Sequence, residues 1–285
     1  MDIPSPLFDI LMVTVETFTG LYPTFIKMIE DSIETKIFIR IIVFLGIALI
    51  TAEKKDILSV CEISFTNFLR YAFLGLISFG TMYYSQKGLK ELPVETNLTI
   101  HRSFPIITTI IAYSLLGNHQ PIEYIPLFLF AYMLMLFILR PKSDHIKKFK
   151  KLSPEKKQKK WEAFNGIFFA FILSCISFII YSLKIESFET GIIRTNVGAL
   201  FVLIFYLINS QIIPIFSFGN TIKMIILNLC MGYSLNRIRS TMRDSIPEVY
   251  SAIFVFLGTS MAFILSEIFI FLKRKPPPDF DKTAT

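Results

Sequence analysis

Cysteine, histidine and tryptophan are scarce in this chain, and each scarcity removes a class of function. Cys61, Cys175 and Cys230 stand far apart along 285 residues. They form neither a disulfide framework nor the paired spacing of a zinc site, and are expected to act as buried apolar filler. The three histidines, His101, His119 and His145, have no acidic or cysteine neighbour at ligand spacing. Absent from the sequence are the G-x-S-x-G elbow, H-E-x-x-H, a Walker loop and a dinucleotide-binding glycine pattern. No enzyme activity, metal or other cofactor is expected. Without an ATP-binding motif, any solute movement must be driven by a gradient or by exchange.

Charge is sparse elsewhere and crowded in one place. Of a net +7, the stretch from Arg140 to Lys160 carries ten Lys/Arg against Asp144 and Glu155, so the remaining chain nets −1. A basic run between apolar segments reads as a membrane-orientation signal with some attraction for anionic headgroups, and no nucleic-acid partner is expected. Asp2, Asp9 and Glu16 replace the basic leader that a cleaved secretory signal would need.

Apolar residues are what the chain has in excess: 53% hydrophobic content, 30 phenylalanines and a mean hydropathy of +0.58. Nine segments suit a membrane span, at 7–26, 37–52, 66–85, 97–116, 121–139, 163–183, 190–212, 221–236 and 246–272. Backbone N–H and C=O groups find no water in hydrocarbon, so segments of this length must be helical. The expected fold class is all-α, a polytopic membrane bundle of about nine helices. An interfacial amphipathic link is expected over 53–65.

The stretch from Tyr83 to Pro141 organises the reading. It contains a polar link from Lys87 to Pro93, a helix interrupted by His101, Arg102 and Pro105, a tight turn at Gly117-Asn118, and another apolar helix. Pro105 removes a backbone donor and crowds the carbonyl of His101, four residues earlier. Ionisable residues at that depth are costly unless they face a cavity or a partner.

Two landmarks recur: Arg194 follows Arg40 by 154 residues, and Pro247 follows Pro93 by the same 154. The helix order also recurs, which divides the chain into a first repeat of five helices (1–140), a polybasic connecting loop (141–160), a second repeat of four helices (161–272) and a polar tail (273–285). Five helices per unit would invert the second copy relative to the first, and such repeats place their substrate near the midplane.

The run Gly88-Leu89-Lys90-Glu91-Leu92-Pro93-Val94, then Ser103-Phe104-Pro105, then Leu115-Leu116-Gly117-Asn118, then Arg140-Pro141, resembles the drug/metabolite transporter superfamily, EamA-like branch. Pro23-Thr24-Phe25-Ile26-Lys27 and Arg40 fit the first two helices of that pattern. Asn118 stands where that family usually has glutamate, and no counterpart of its tenth helix is expected before the tail. The resemblance implies secondary transport of a small metabolite by alternating access, around a central cavity lined by the fourth and ninth helices. A non-transporting membrane scaffold built on the same fold is the alternative. The implied partners are the lipid bilayer, a small and potentially anionic substrate, and a second copy in a homodimer, since the missing helix would lie at the periphery or the dimer contact.

Substrate-binding candidates are Glu16, His101, Arg102, Arg194, Ser103 and Tyr83. Arg102 leads because guanidinium grips carboxylate or phosphate through a fork, although a structural pair with Glu16 accounts for it equally well. His101, about 100° away on the helix, cannot share one narrow path squarely with it. Hydroxyls such as Ser103 commonly bond the preceding helical turn, and Tyr83 also suits an interfacial anchor. The Asn97-Leu98-Thr99 sequon sits at a helix mouth and is expected to be unused.

Orientation follows from the cations. The resemblance implies an N-terminus inside, which would place the loop with ten Lys/Arg outside. With the N-terminus outside, that loop, Lys27, Lys36, Lys87, Lys90 and the tail all gather on the inner side, as the positive-inside rule requires for short loops. The expected protein is therefore a multi-pass component of the cell (inner) membrane, in preference to an organelle membrane, with its C-terminus in the cytoplasm. In intact cells, Lys156→Cys is expected to escape a membrane-impermeant thiol reagent; labelling at that position would reverse the orientation.

Overall fold

The computed structural model describes residues 6–61, 64–114, 122–140, 151–182, 187–243 and 245–274. No strand occurs among the described residues, and the protein is all-α. The chain order is α1 Pro6–Met28, α2 Ile33–Thr51, short α3 Lys54–Cys61, α4 Phe65–Glu91, α5 Val94–Arg102 and α6 Phe104–Ser114. A 3-10 turn, Ile122–Tyr124, leads into α7 Ile125–Ile138, followed by α8 Pro154–Ser182 and α9 Phe188–Ser210. Then α10 Phe218–Leu227 continues through a π-helical segment, Asn228–Ser234, into α11 Leu235–Arg243, and α12 Glu248–Arg274 closes the order.

Local chemistry moves several boundaries away from the sequence expectations. Ser32 caps α2 by accepting a 3.1 Å hydrogen bond from the Thr35 N–H, so the helix starts at Ile33, ahead of the apolar segment expected from 37, and Arg40 lies two turns in. α4 runs on to Glu91, reducing the expected polar link to Leu92-Pro93. The interrupted fourth helix is two helices. α5 stops at Arg102, and the Ser103 N–H bonds the Thr99 and Ile100 carbonyls at 3.1 and 3.3 Å. Pro105 is then the second residue of α6, where its missing N–H would have no intrahelical partner anyway. The eighth apolar segment, expected at 221–236, continues to Arg243. The Gly117-Asn118 turn, most of the connecting loop (141–150) and the tail beyond 274 lie outside the described residues.

The helices pack with a consistent sense. α1 and α12 run parallel: the Tyr250 hydroxyl donates to Asp9 at 3.0 Å, Glu16 abuts Gly258, and Thr24 meets Ser266 at 3.0 Å. α4 runs parallel to α9, where Tyr71 meets Arg194 and Tyr83 meets Tyr206. It is antiparallel to α8, where Gly80 meets Leu173 and Gly88 meets Ile167. α2 parallels the α10–α11 span through Phe38–Phe216 and Phe44–Tyr233, and α7 parallels α12 through Tyr124–Tyr250 and Phe128–Phe256.

The core lies at these seams. One cluster joins Leu98, Phe128, Met135, Ile253 and Phe256; another joins Ile37, Ile41, Phe79, Ala199 and Leu203. Large apolar side chains also cover the outside, including Phe73, Phe130, Phe137, Phe201, Phe205 and Ile208. Two described helices, 188–210 and 248–269, are long and apolar enough to cross a membrane. The cysteines depart from the expected burial: Cys61 and Cys230 are exposed and Cys175 is half-buried. A small apolar thiol is as acceptable on an apolar exterior as in a core.

The tightest crossing is that of α4 and α9, where a Cβ built on Gly75 would stand 2.2 Å from the Gly198 carbonyl carbon. Only glycine on both sides permits that approach. Gly198→Leu is expected to force the helices apart and destabilise the protein by about 1–3 kcal/mol in detergent unfolding. Gly46→Ala, with nothing within 4 Å of the added methyl, is the control, expected to shift stability by less than about 0.5 kcal/mol.

Candidate functional site: a carboxylate between two guanidiniums

Glu16 occupies the middle of the 23-residue α1 and is fully buried. It fits there because Gly258 on α12 has no side chain: a Cβ at Gly258 would stand 2.5 Å from the Glu16 Cβ. One carboxylate oxygen, Oε2, lies 3.3 Å from Arg102 Nη1 at the end of α5; the other, Oε1, lies 2.5 Å from Arg239 Nε on α11. Both arginines are largely withdrawn from solvent, with side-chain exposures of 12% and 19%. Two guanidiniums thus reach one carboxylate. A buried carboxylate is tolerated only with such pairing, and losing one partner typically costs about 3–5 kcal/mol.

The structure therefore brings Glu16 and Arg102 together and takes the other candidates elsewhere. Ser103 donates to the Thr99 carbonyl at 2.7 Å and has the Tyr132 hydroxyl at 3.4 Å. His101, the next residue round from Arg102, turns to α4, where its Nε2 lies 2.9 Å from Ser85 Oγ. Asn97, the sequon residue, is buried and donates to the Ser85 carbonyl at 3.3 Å. Arg194 is buried with its guanidinium 5.0 Å above the Tyr71 ring, on α9 and away from Glu16. Tyr83 accepts from the Tyr206 hydroxyl at 3.3 Å and lines a cavity of about 450 Å³ between α4, α8 and α9. That cavity is aromatic and aliphatic, and neither Glu16 nor Arg102 lines it.

Three features escaped the sequence reading. Arg237 and Arg239 were not among the candidates, yet Arg239 holds Glu16, and Arg237 pairs with the buried Glu189 while lying over the Phe188 ring. The signal was their spacing on the strongly amphipathic α11, with two buried glutamates to receive them. The second feature is the π-helical turn. Fully buried Asn228 bonds the Met224 carbonyl at 2.8 Å and accepts from the Tyr22 hydroxyl at 2.7 Å, and the Arg40 guanidinium lies 5.6 Å from the Tyr22 ring and 5.1 Å from Phe44. π-turns inside helices frequently mark functional positions, and nothing in composition announces one.

The third is a repeated cap. Ser32-Ile33-Glu34-Thr35 and Ser187-Phe188-Glu189-Thr190 adopt the same geometry, each serine accepting from the threonine N–H at 3.1 Å. Each cap is also latched to a linker from the other half. The Ser187 and Thr190 hydroxyls donate to Asp56 Oδ1 on α3 at 2.8 and 3.1 Å, and the Thr35 hydroxyl donates to the Ile215 carbonyl at 3.1 Å. The Ser187 hydrogen bond holds the Asp56 carboxyl below its ordinary value. At the end of α1, Lys27 donates to the Leu92 carbonyl at 2.7 Å.

Glu16→Ala would leave Arg102 and Arg239 facing each other without their carboxylate. The expected result is a loss of about 3–5 kcal/mol in detergent unfolding. Glu16→Ala combined with Arg239→Met is expected to recover part of it, because the repulsion goes with the second charge. Equal unfolding of the single variant and the wild type would show that the cluster carries no structural load.

Compared with known proteins, the chain matches no protein-family model, and no curated protein is significantly similar to it.

Proposed function

We propose that this protein is a secondary-active membrane transporter of the drug/metabolite transporter type. In this reading nine spans form two inverted repeats of five and four helices and carry a small organic anion by alternating access. The spans are α1, α2, α4, α5–α6, α7, α8, α9, α10–α11 and α12. Helices that cross a bilayer in succession must alternate direction, and the observed senses agree: α1 with α12, α4 with α9, α7 with α12 and α2 with α10–α11 are parallel, whereas α4 and α8 are antiparallel.

The contact pattern supports the inverted repeat. Exchanging the halves turns the α4–α8 seam into the α1–α10/α11 seam, α1–α12 into α8–α5/α6, and α4–α9 into α2–α10/α11; each of these seams is present. The twin caps, each latched to the other half, obey the same exchange. They stand 155 residues apart, one more than Arg40 and Arg194, so aligning the caps places Thr195, not Arg194, opposite Arg40.

The observation that carries the transport reading is the position of the Glu16 cluster. Arg102 comes from the first half and Arg239 from the second, and they meet on one carboxylate at the centre of α1. Rocking one repeat against the other has to break or remake that contact. A cargo carboxylate or phosphate can take the place of Glu16 on a guanidinium fork, which gives a route to coupling. The scaffold alternative has an observation of its own, since Glu16 already neutralises Arg102 and the cluster can serve as a permanent clasp. The assignment carries no enzyme activity or cofactor, places the protein in the cell membrane with a cytoplasmic C-terminus, and leaves a homodimer as a partner for the bundle.

Flux across proteoliposomes separates the two readings. Purified protein is expected to accumulate or exchange labelled organic acids from a mixed panel of anions, cations and neutral solutes, and Arg102→Gln/Glu16→Gln, which keeps the net charge unchanged, is expected to reduce flux to background while staying folded, with its melting temperature lowered less than that of Glu16→Ala. Wild-type vesicles inert to the whole panel favour the scaffold. Undiminished flux in the double variant would remove the cluster from the mechanism.

A further inference from the structure

The cavity beside Tyr83 lies apart from the Glu16 cluster, and its chemistry is different. Its walls come from Phe73, Leu76, Gly80 and Tyr83 on α4, Phe169 on α8 and Tyr206 on α9, and its volume is about 450 Å³. Phe73, Leu76 and Phe169 are each about half exposed, so the cavity opens on the apolar exterior of the bundle. A pocket with so little polar lining offers nothing to orient a water-soluble metabolite, whereas hydrocarbon needs no orientation.

One end of the cavity leads to cations. On α4, the wall positions Leu76, Gly80 and Tyr83 continue at helical spacing to Lys87 and Lys90. On α8, which runs antiparallel, Lys159 stands 14 residues before the wall residue Leu173, within about 40° of the same face. Lys90 and Lys159 are exposed and Lys87 is half-buried. Glu162 stands on the same side of α8 and accepts a 3.2 Å bond from Gln158. Trp161, exposed and stacked on Phe164 at 5.5 Å, marks the level at which an interfacial indole sits. Apolar cavity, tyrosine hydroxyls and lysines thus follow one another along the α4–α8 groove in the order of an acyl chain, a glycerol backbone and an anionic headgroup.

We infer that this groove is a binding site for an anionic phospholipid, with one acyl chain between Phe73, Leu76 and Phe169 and its phosphate near Lys87 and Lys90. The assignment rests on the membrane reading of the fold but not on transport. The lipid wedges a seam that joins α4 to both α8 and α9, and so ties bilayer composition to the packing of the two halves.

Native mass spectrometry of the full chain, loaded with defined lipid in detergent, tests the site. The wild type is expected to retain phosphatidylglycerol over phosphatidylcholine by about tenfold. Leu76→Trp, which fills the cavity from an exposed position, is expected to lose both lipids; Phe169→Trp, from the opposite wall, is the second filling variant should the first fail to fold. The triple variant Lys87→Gln/Lys90→Gln/Lys159→Gln is expected to retain lipid but lose the headgroup preference. Wild-type retention of phosphatidylglycerol in a folded filling variant overturns the cavity assignment, and equal retention of the two lipids by the wild type overturns the headgroup assignment. Carbonate extraction of cell membranes reports separately on the fold: a protein released without detergent overturns the membrane reading itself.

Discussion

A carboxylate with no access to water, held at a crossing where the opposing helix has no side chain, sets the terms for the rest of this bundle. A buried carboxylate requires cationic partners, and here they are Arg102 at the end of α5 and Arg239 in the middle of α11. The break in the fourth apolar segment, which places Arg102 at a helix end, follows from Pro105. An uninterrupted helix through Arg102 and Pro105 would leave the His101 carbonyl without a donor. Ending α5 at Arg102 lets Ser103 bond back and restarts the helix with Pro105 where it does no harm. The pairing with Glu16 accounts for the length of the eighth span, since α11 must run to Arg239 to close the other side of the carboxylate. Gly258 is the third condition, because any side chain there would displace the acid.

The α-helical class and the places of the helices were legible because apolar runs of this length have few other solutions. Arg102 as the charged residue to watch was legible for the same reason of cost, and its pairing with Glu16 was among the readings weighed. What hydrophobicity could not convey was direction round a helix axis. His101 and Arg102 are adjacent in sequence, yet one bonds Ser85 on α4 and the other Glu16 on α1. Arg194 looked equivalent to Arg102 as a deep cation and is instead stacked on Tyr71. The counterpart cation, Arg239, sits in a stretch polar enough to read as a rim. The π-turn at Asn228–Ser234 was invisible because it depends on which carbonyl each N–H selects, and the residues there are compatible with either helix.

The repeat shows why landmark matching needs local geometry. Arg40 and Arg194 gave an offset that holds for Pro93 and Pro247 but not for the caps that precede the two arginines. A helix N-cap is a firmer marker than an arginine, because its serine must stand where the chain turns from extended to helical backbone. Ser32 and Ser187 meet that condition with nearly identical dihedral angles, φ −63° with ψ 155° and 153°. In the aligned caps Glu34 and Glu189 are equivalent, yet only Glu189 is buried with an arginine partner. The two caps share a backbone geometry and differ in where they bury charge.

That divergence has a physical consequence for the proposed rocking motion. In a symmetric pair of repeats the two end states would have equal energy, and an energy difference requires interactions that one half has and the other lacks. Here the cross-half latches differ in kind: a carboxylate accepts from Ser187 and Thr190 on one side, and a single backbone carbonyl accepts from Thr35 on the other. Hydrogen bonds to an ionised acceptor are worth about 1.5–3 kcal/mol and neutral ones about 0.5–1.5 kcal/mol. Add the Arg237–Glu189 pair, which has no counterpart at Glu34 in the described contacts, and the side holding the α9 cap is the more firmly closed. An anion arriving at the Glu16 cluster would meet a bundle already biased toward one face, and the energy to reopen the other has to come from the cargo or from the gradient that drives it.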